Sequence, residues 1–179
     1  MRKLKLQELK RLSVKDYKEK KKLPLVVVLD NIRSGMNVGS FFRTCDAFLV
    51  NEIHLVGITP RPPHKEITKT AIGATQSVDW QYFNKIEESL EVLINAGYTI
   101  MCVEQTTDSV DLDEISVSAQ EKFAIVFGNE VTGVSNEAIN MCSQSIELAQ
   151  FGTKHSLNVS VCAGIVIHDL AMKIVKKQS

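Results

Sequence analysis

Six short apolar runs alternate along this chain with segments of helical spacing, and no other feature restricts the fold as strongly. The first run, Leu25-Val26-Val27-Val28-Leu29, is rich in β-branched residues and bounded by Pro24 and Asp30-Asn31. Apolar at every position, it fits a strand buried on both faces of a parallel sheet. Further strands are predicted at 53–56, 78–83, 98–103, 123–127 and 145–148, and helices at 37–48, 65–72, 86–95, 135–142 and 158–176. Gly97 stands where a C′ glycine belongs, Ser135 is a good N-cap, and the last helix ends in basic residues that suit its dipole. Strands alternating with helices make an α/β fold with a mainly parallel sheet flanked by helices. At 179 residues the chain is long enough for one domain with a full core.

Formal charge is zero, but it is unevenly spread. Residues 1–22 hold ten Lys and Arg against three Asp and Glu, a net of +7, and the remaining residues carry 11 against 18, a net of −7. A basic arm on an acidic body points to a polyanion contact made by one part of the molecule, or to a solvated lysine-rich helix. Residues 1–22 therefore divide from 23–179 as a basic helical N-terminal extension. Leu4, Leu9 and Leu12 give it a narrow apolar stripe, and Ser13 with Asp16 resembles a capping box. The charged N-terminus lacks the apolar stretch of a signal peptide, and no run approaches the roughly 20 residues that span a bilayer. A cytoplasmic protein without a membrane partner is expected. The four cysteines and four histidines show no metal-ligand spacing, so no metal is expected.

Two glycine-bearing turns follow predicted strands: Gly35 and Gly39 after the first, and Gly128 and Gly133 after the run at 123–127. Neither is G-x-G-x-x-G or a phosphate-binding loop ending in Lys-Ser/Thr, which disfavours a Rossmann or ATP site. Glycines there still let backbone approach a ligand closely. A third polar stretch, His155 to Ile165, runs directly into an apolar helix pattern, as a site at a helix N-terminus does.

In order, Asp30–Thr44, Phe127–Ser135 and His155–Ile165 resemble motifs 1, 2 and 3 of the SpoU/TrmH family of RNA ribose 2′-O-methyltransferases. The resemblance spans about residues 24 to 174. It implies a deep trefoil knot formed by roughly residues 120 to 179, a homodimer packed through that knot, and S-adenosylmethionine as methyl donor, with S-adenosylhomocysteine as product. By motif position, Gly128, Leu148 and Leu157 would give main-chain contacts to the cofactor, and Glu104 and Thr106 would line the same pocket. Arg43 would serve catalysis, gripping an RNA phosphate or acting on the ribose 2′-hydroxyl. A guanidinium is ordinarily a fixed cation, which makes it an awkward base. Asn37, Glu130, Ser156 and Asn158 match the other polar family positions, with Glu130 expected to position the loop or Arg43. Two positions depart from the family pattern: Leu49 stands where Gly is common, and Ala149 where Pro is.

RNA is the implied partner, transfer RNA ahead of ribosomal RNA because the chain is compact. Arg43, Lys65 and Lys69, with Arg2, Lys3 and Arg11 of the arm, are the expected phosphate contacts, and such contacts give affinity with little sequence information. The alternative is a non-catalytic RNA-binding protein that keeps the fold.

Overall fold

The computed structural model describes residues 1–118 and 120–178, Leu6 by its backbone only. Seven strands, β1 (Leu23–Asp30), β2 (Val50–Val56), β3 (Asp79–Phe83), β4 (Tyr98–Val103), β5 (Val110–Asp111), β6 (Lys122–Phe127) and β7 (Gln144–Glu147), form one sheet in the order β3-β2-β1-β6-β4-β7-β5. Every pairing between them is parallel. The helices are α1 (Val14–Glu19), α2 (Gly35–Ala47), α3 (Lys65–Ala71), α4 (Ala74–Ser77), α5 (Ile86–Asn95), α6 (Asn136–Met141) and α7 (Val159–Gln178). No helix among the described residues is long and apolar enough to cross a membrane.

The continuous apolar run of β1 has its cause in two cores. Leu25, Val27 and Leu29 pack with Phe41, Phe42, Val166 and Leu170 of α2 and α7. Val26 and Val28 pack on the other face with Leu90 of α5 and Ala138 of α6. A strand covered on both sides has no solvent face on which polar alternation is useful. Phe41 of α2 meets Phe127 at the end of β6 edge-on, with ring centroids 5.1 Å apart, and this seats α2 over the centre of the sheet.

Helix α5 and strand β4 have the predicted bounds, joined through Gly97 at φ +80°. The other predicted strands and helices end within three residues of their expected limits. Ser135 caps α6 by accepting from the Ala138 N–H at 3.3 Å. Three elements had no periodic signal: the single turn α4, the two-residue edge strand β5, and a 3-10 turn at Leu112–Glu114. Each is too short for a repeat to show. Strand β7 stops at Glu147, so Leu148 lies in the loop beyond it rather than in the strand.

The basic arm forms a 3-10 turn at Leu6–Leu9 and then α1, whose N-cap Ser13 accepts from Asp16 N at 3.1 Å and donates to its carboxylate at 2.6 Å. The Leu4, Leu9 and Leu12 stripe stays exposed. Tyr17 is the anchor: it is 4% exposed, belongs to the main core, and its hydroxyl donates to the Cys45 carbonyl at 3.5 Å. Lys22 lies over its ring, and Lys18 pairs with Asp79 of β3.

Candidate active site

The sheet changes direction at β1: β2 and β3 lie to one side, β6 and β4 to the other. In open α/β sheets, ligands bind outside the carboxyl ends of strands near such a reversal. A cleft of about 710 Å³ lies there, formed by the ends of β4, β6 and β7 and the residues leading into α7. Eight of the residues singled out from sequence line it: Glu104, Thr106, Gly128, Glu130, Leu148, Ser156, Leu157 and Asn158. Residues from more than fifty positions of chain thus meet in one place.

The loop over 128–135 depends on two glycines. A Cβ at Gly128 would lie 2.1 Å from Val134 N and 2.2 Å from the Gly133 carbonyl carbon, both main-chain atoms. Gly133 has φ +71°, and a Cβ there would meet a Glu104 oxygen at 2.2 Å. Asn129 and Gly133 exchange main-chain hydrogen bonds of 2.9 and 3.0 Å, which closes the turn. The Asn129 side chain accepts from Val131 N at 2.8 Å and donates to the Asn31 carbonyl at 2.7 Å. Glu104 accepts from Val134 N at 2.9 Å and from Gln105 N at 2.9 Å. Asp30, only 1% exposed, accepts from Ser135 N at 2.8 Å and from the Asn31 side chain at 2.8 Å. Asp30 and Asn129 escaped the sequence reading. Each looks like an ordinary turn residue, and the one partner that ties it to the site lies about a hundred residues away.

Glu130 ties this loop to the start of α2. Its carboxylate accepts from Arg33 N at 2.9 Å, Ser34 N at 3.1 Å and the Asn37 side chain at 2.9 Å. Burial pushes the Glu130 carboxyl up, but the hydrogen bonds from Arg33 N, Asn37 and Ser34 N outweigh it and hold it below the ordinary value. Asn158 donates to the Asn37 side-chain oxygen at 3.3 Å. Its own oxygen accepts from Ser160 N at 3.0 Å and Val161 N at 3.3 Å, which caps α7. Glu130, Asn37 and Asn158 therefore form one hydrogen-bonded line across three distant stretches of sequence.

Arg43 and Lys69 lie elsewhere. Arg43 is exposed on α2, has no hydrogen-bond or ion-pair partner among the described residues, and lines a second groove of about 490 Å³ with Ser40, Lys69 and Thr70. Among the described residues, Asn37 reaches the cleft lining through its hydrogen bonds to Glu130 and Asn158. Lys65 is exposed at the start of α3, near Arg61, whose guanidinium stacks on Tyr82 at 4.1 Å. In the arm, Lys3 and Arg11 are exposed, and Arg2 is paired with Glu8 at 2.6 Å.

These features define a parallel α/β protein with a candidate ligand cleft at the carboxyl edge of its sheet. The chain belongs to the SpoU rRNA Methylase family, whose model matches residues 24–168. It is similar to the tRNA (guanosine(18)-2′-O)-methyltransferase of Aquifex aeolicus, 31% identical over 167 residues that cover 90% of this chain and 74% of that enzyme. The crystal structure of the A. aeolicus TrmH/SpoU tRNA modifying enzyme superposes with a TM-score of 0.80 at 26% identity, covering 92% of this chain and 83% of that one. An AdoMet-bound rRNA methyltransferase from Sinorhizobium meliloti shares the fold, with a TM-score of 0.76 at 24% identity over 86% of this chain and 58% of that one.

Proposed function

We propose that this protein transfers a methyl group from S-adenosylmethionine to a ribose 2′-hydroxyl of RNA, in the cytoplasm, with transfer RNA as the first candidate substrate and ribosomal RNA as the second. The observation that carries this reading is the Glu130–Asn37–Asn158 line, which joins all three motif-bearing stretches at the rim of one cleft. Family membership and the 2′-O-methyltransferase relative support it.

The lining fits the donor. Ile146, Leu148 and Leu157 offer apolar surface for a purine, and main chain at Gly128 is bare because no side chain fits there. When bound, the donor supplies an activated methyl group on a sulfonium. Glu130 and Asn158 hold the loop and the start of α7 in fixed relation. Much of the rate in such a transfer comes from alignment, so rigidity at this point is useful. Ser156, an exposed residue of the cleft lining, hydrogen-bonds the target nucleotide in this reading. Arg43, as a fixed cation with five donors, grips an RNA phosphate and stabilises charge on the attacking oxygen.

Because Arg43 does not line the cleft of its own chain, the reading includes a second copy of the chain that brings Arg43 to it. Exposed apolar residues on α7, namely Val161, Ile165 and Met172, support a homodimer packed through this helix. The trefoil knot over roughly residues 120 to 179, and the division into an RNA-gripping extension at 1–22 and a catalytic domain at 23–179, belong to the same proposal.

Incubation with methyl-labelled S-adenosylmethionine and separate pools of unmodified tRNA and rRNA tests it. An alkali-resistant, ribose-methylated dinucleotide is expected after nuclease mapping. Arg43→Ala should bind the donor normally and lose methyl transfer; substantial residual turnover removes Arg43 from the mechanism. RNA binding without any donor binding turns the reading to a non-catalytic RNA-binding protein.

A further inference from the structure

The charge of the cleft is one-sided. Glu104, Glu130 and Glu147 line it, and no lysine, arginine or histidine does so among the described residues. Glu130 is held ionised by its hydrogen bonds, as its lowered pKa indicates. Glu104 keeps two main-chain N–H groups on its oxygens. The half-buried Glu147 side chain has no hydrogen bond or ion pair among the described residues, and none of the sequence motifs includes it. The Cys162 thiol, also in the lining, is pushed up to about 11, first by burial and then by the Glu104 charge. The positive end of α7 offsets little, because Asn158 already accepts from Ser160 N and Val161 N. The basic Arg43 and Lys69 sit in the other groove.

This inference rests on the donor assignment above. A cleft that takes S-adenosylmethionine meets two ligands of nearly the same shape that differ by one charge. When the methyl–sulfur bond breaks, its electron pair stays on sulfur, and the sulfonium becomes a neutral thioether. The proton of the 2′-hydroxyl passes from the attacking oxygen to solvent water as the new carbon–oxygen bond forms. We infer that the carboxylates of Glu104, Glu130 and Glu147 select the cationic donor over its neutral demethylated product, so that transfer itself weakens the hold on the spent ligand. Among the described residues, Glu147 is the member of the set with no structural hydrogen bonds to keep, which leaves it as the specificity residue of this inference.

Charge pairs a few ångströms apart in a partly solvated cleft are worth about three- to tenfold in affinity, and salt screens them. Titration calorimetry on the full-length protein would compare S-adenosylmethionine, S-adenosylhomocysteine and sinefungin, in which a protonated amine replaces the methylated sulfur. At about 25 mM salt the two cations should bind at least about fivefold more tightly than the thioether, and the gap should close towards about 500 mM salt. Glu147→Gln should weaken both cations about threefold and leave S-adenosylhomocysteine unchanged. Equal binding of donor and product at low salt, or a preference indifferent both to salt and to Glu147→Gln, overturns the inference while leaving the methyltransferase reading intact. Sinefungin binding as weakly as the product also overturns it, since methyl contact and not charge would then set the preference. Binding of none of the three by folded protein removes the donor assignment and this inference with it.

Discussion

Gly128 and Leu49 show how much one backbone position can demand. At Gly128 any side chain strikes main chain on the far side of the loop, so relief requires the 128–135 turn to open. Gly128→Ala is expected to keep the fold, melt a few degrees lower and lose at least about tenfold in donor affinity, since overpacking of this kind costs about 1–3 kcal/mol. A calorimetric titration beside a thermal melt checks both parts. Leu49 follows α2 in a left-handed conformation, φ +53°, where an L-residue bears about 1–2 kcal/mol of strain. The family's usual glycine at this place has a physical reason. Leu49 nevertheless packs against the main core, which offsets part of that strain. Leu49→Gly should therefore change stability by less than about 1 kcal/mol, whereas β-branched Leu49→Val should lose about 2 kcal/mol. Urea unfolding that found the two variants alike would refute the strain argument. In sequence, Asn37, Glu130 and Asn158 were legible as polar residues at motif positions. Their linkage was not, because each hydrogen bond crosses about ninety residues or more of chain.

At the scale of elements, the arm at residues 1–22 divides in two. Residues 1–5 and 7–12 are exposed, Leu4, Leu9 and Leu12 among them, while α1 is pinned by Tyr17. Deleting residues 1–12 should weaken RNA binding and flatten its dependence on salt, with melting unchanged, because each lost phosphate contact removes about 0.7–0.9 from the log–log slope. Deleting residues 1–22 should add a stability loss of about 2 kcal/mol, the worth of one large buried side chain. Filter binding across a salt series, paired with thermal melts, separates the two effects. Unchanged RNA affinity after the shorter deletion would show that the arm takes no part in binding. The main strands and helices were visible in sequence because burial on one or both faces writes a period into the residues. The single turn α4 and the strand β5 were not, being shorter than any period.

At the scale of the molecule, the charged groups lining the cleft among the described residues are all carboxylates, and Arg43 lies in a separate groove. In the proposed reaction, a second copy of the chain would bring Arg43 to the cleft. Ile165→Asp, on the exposed face of α7, is expected to give a monomer in analytical ultracentrifugation that still binds the donor and no longer methylates RNA. A dimer that survives this change would place the interface elsewhere. Hydrophobic patterning in the sequence alone determined a parallel α/β protein, since the residues that avoid water declare which segments lie inside the sheet. The motifs in their order pointed to the family and to most of the residues of the cleft. Only the tertiary structure decided that Asp30, Asn129 and Glu104 clamp the 128–135 loop, that Arg43 lies outside the cleft, and that Tyr17 belongs to the core. Hydrogen bonds and charges between residues about a hundred positions apart leave no periodic trace in the chain, so their partners exist only once the sheet has brought its strand ends together.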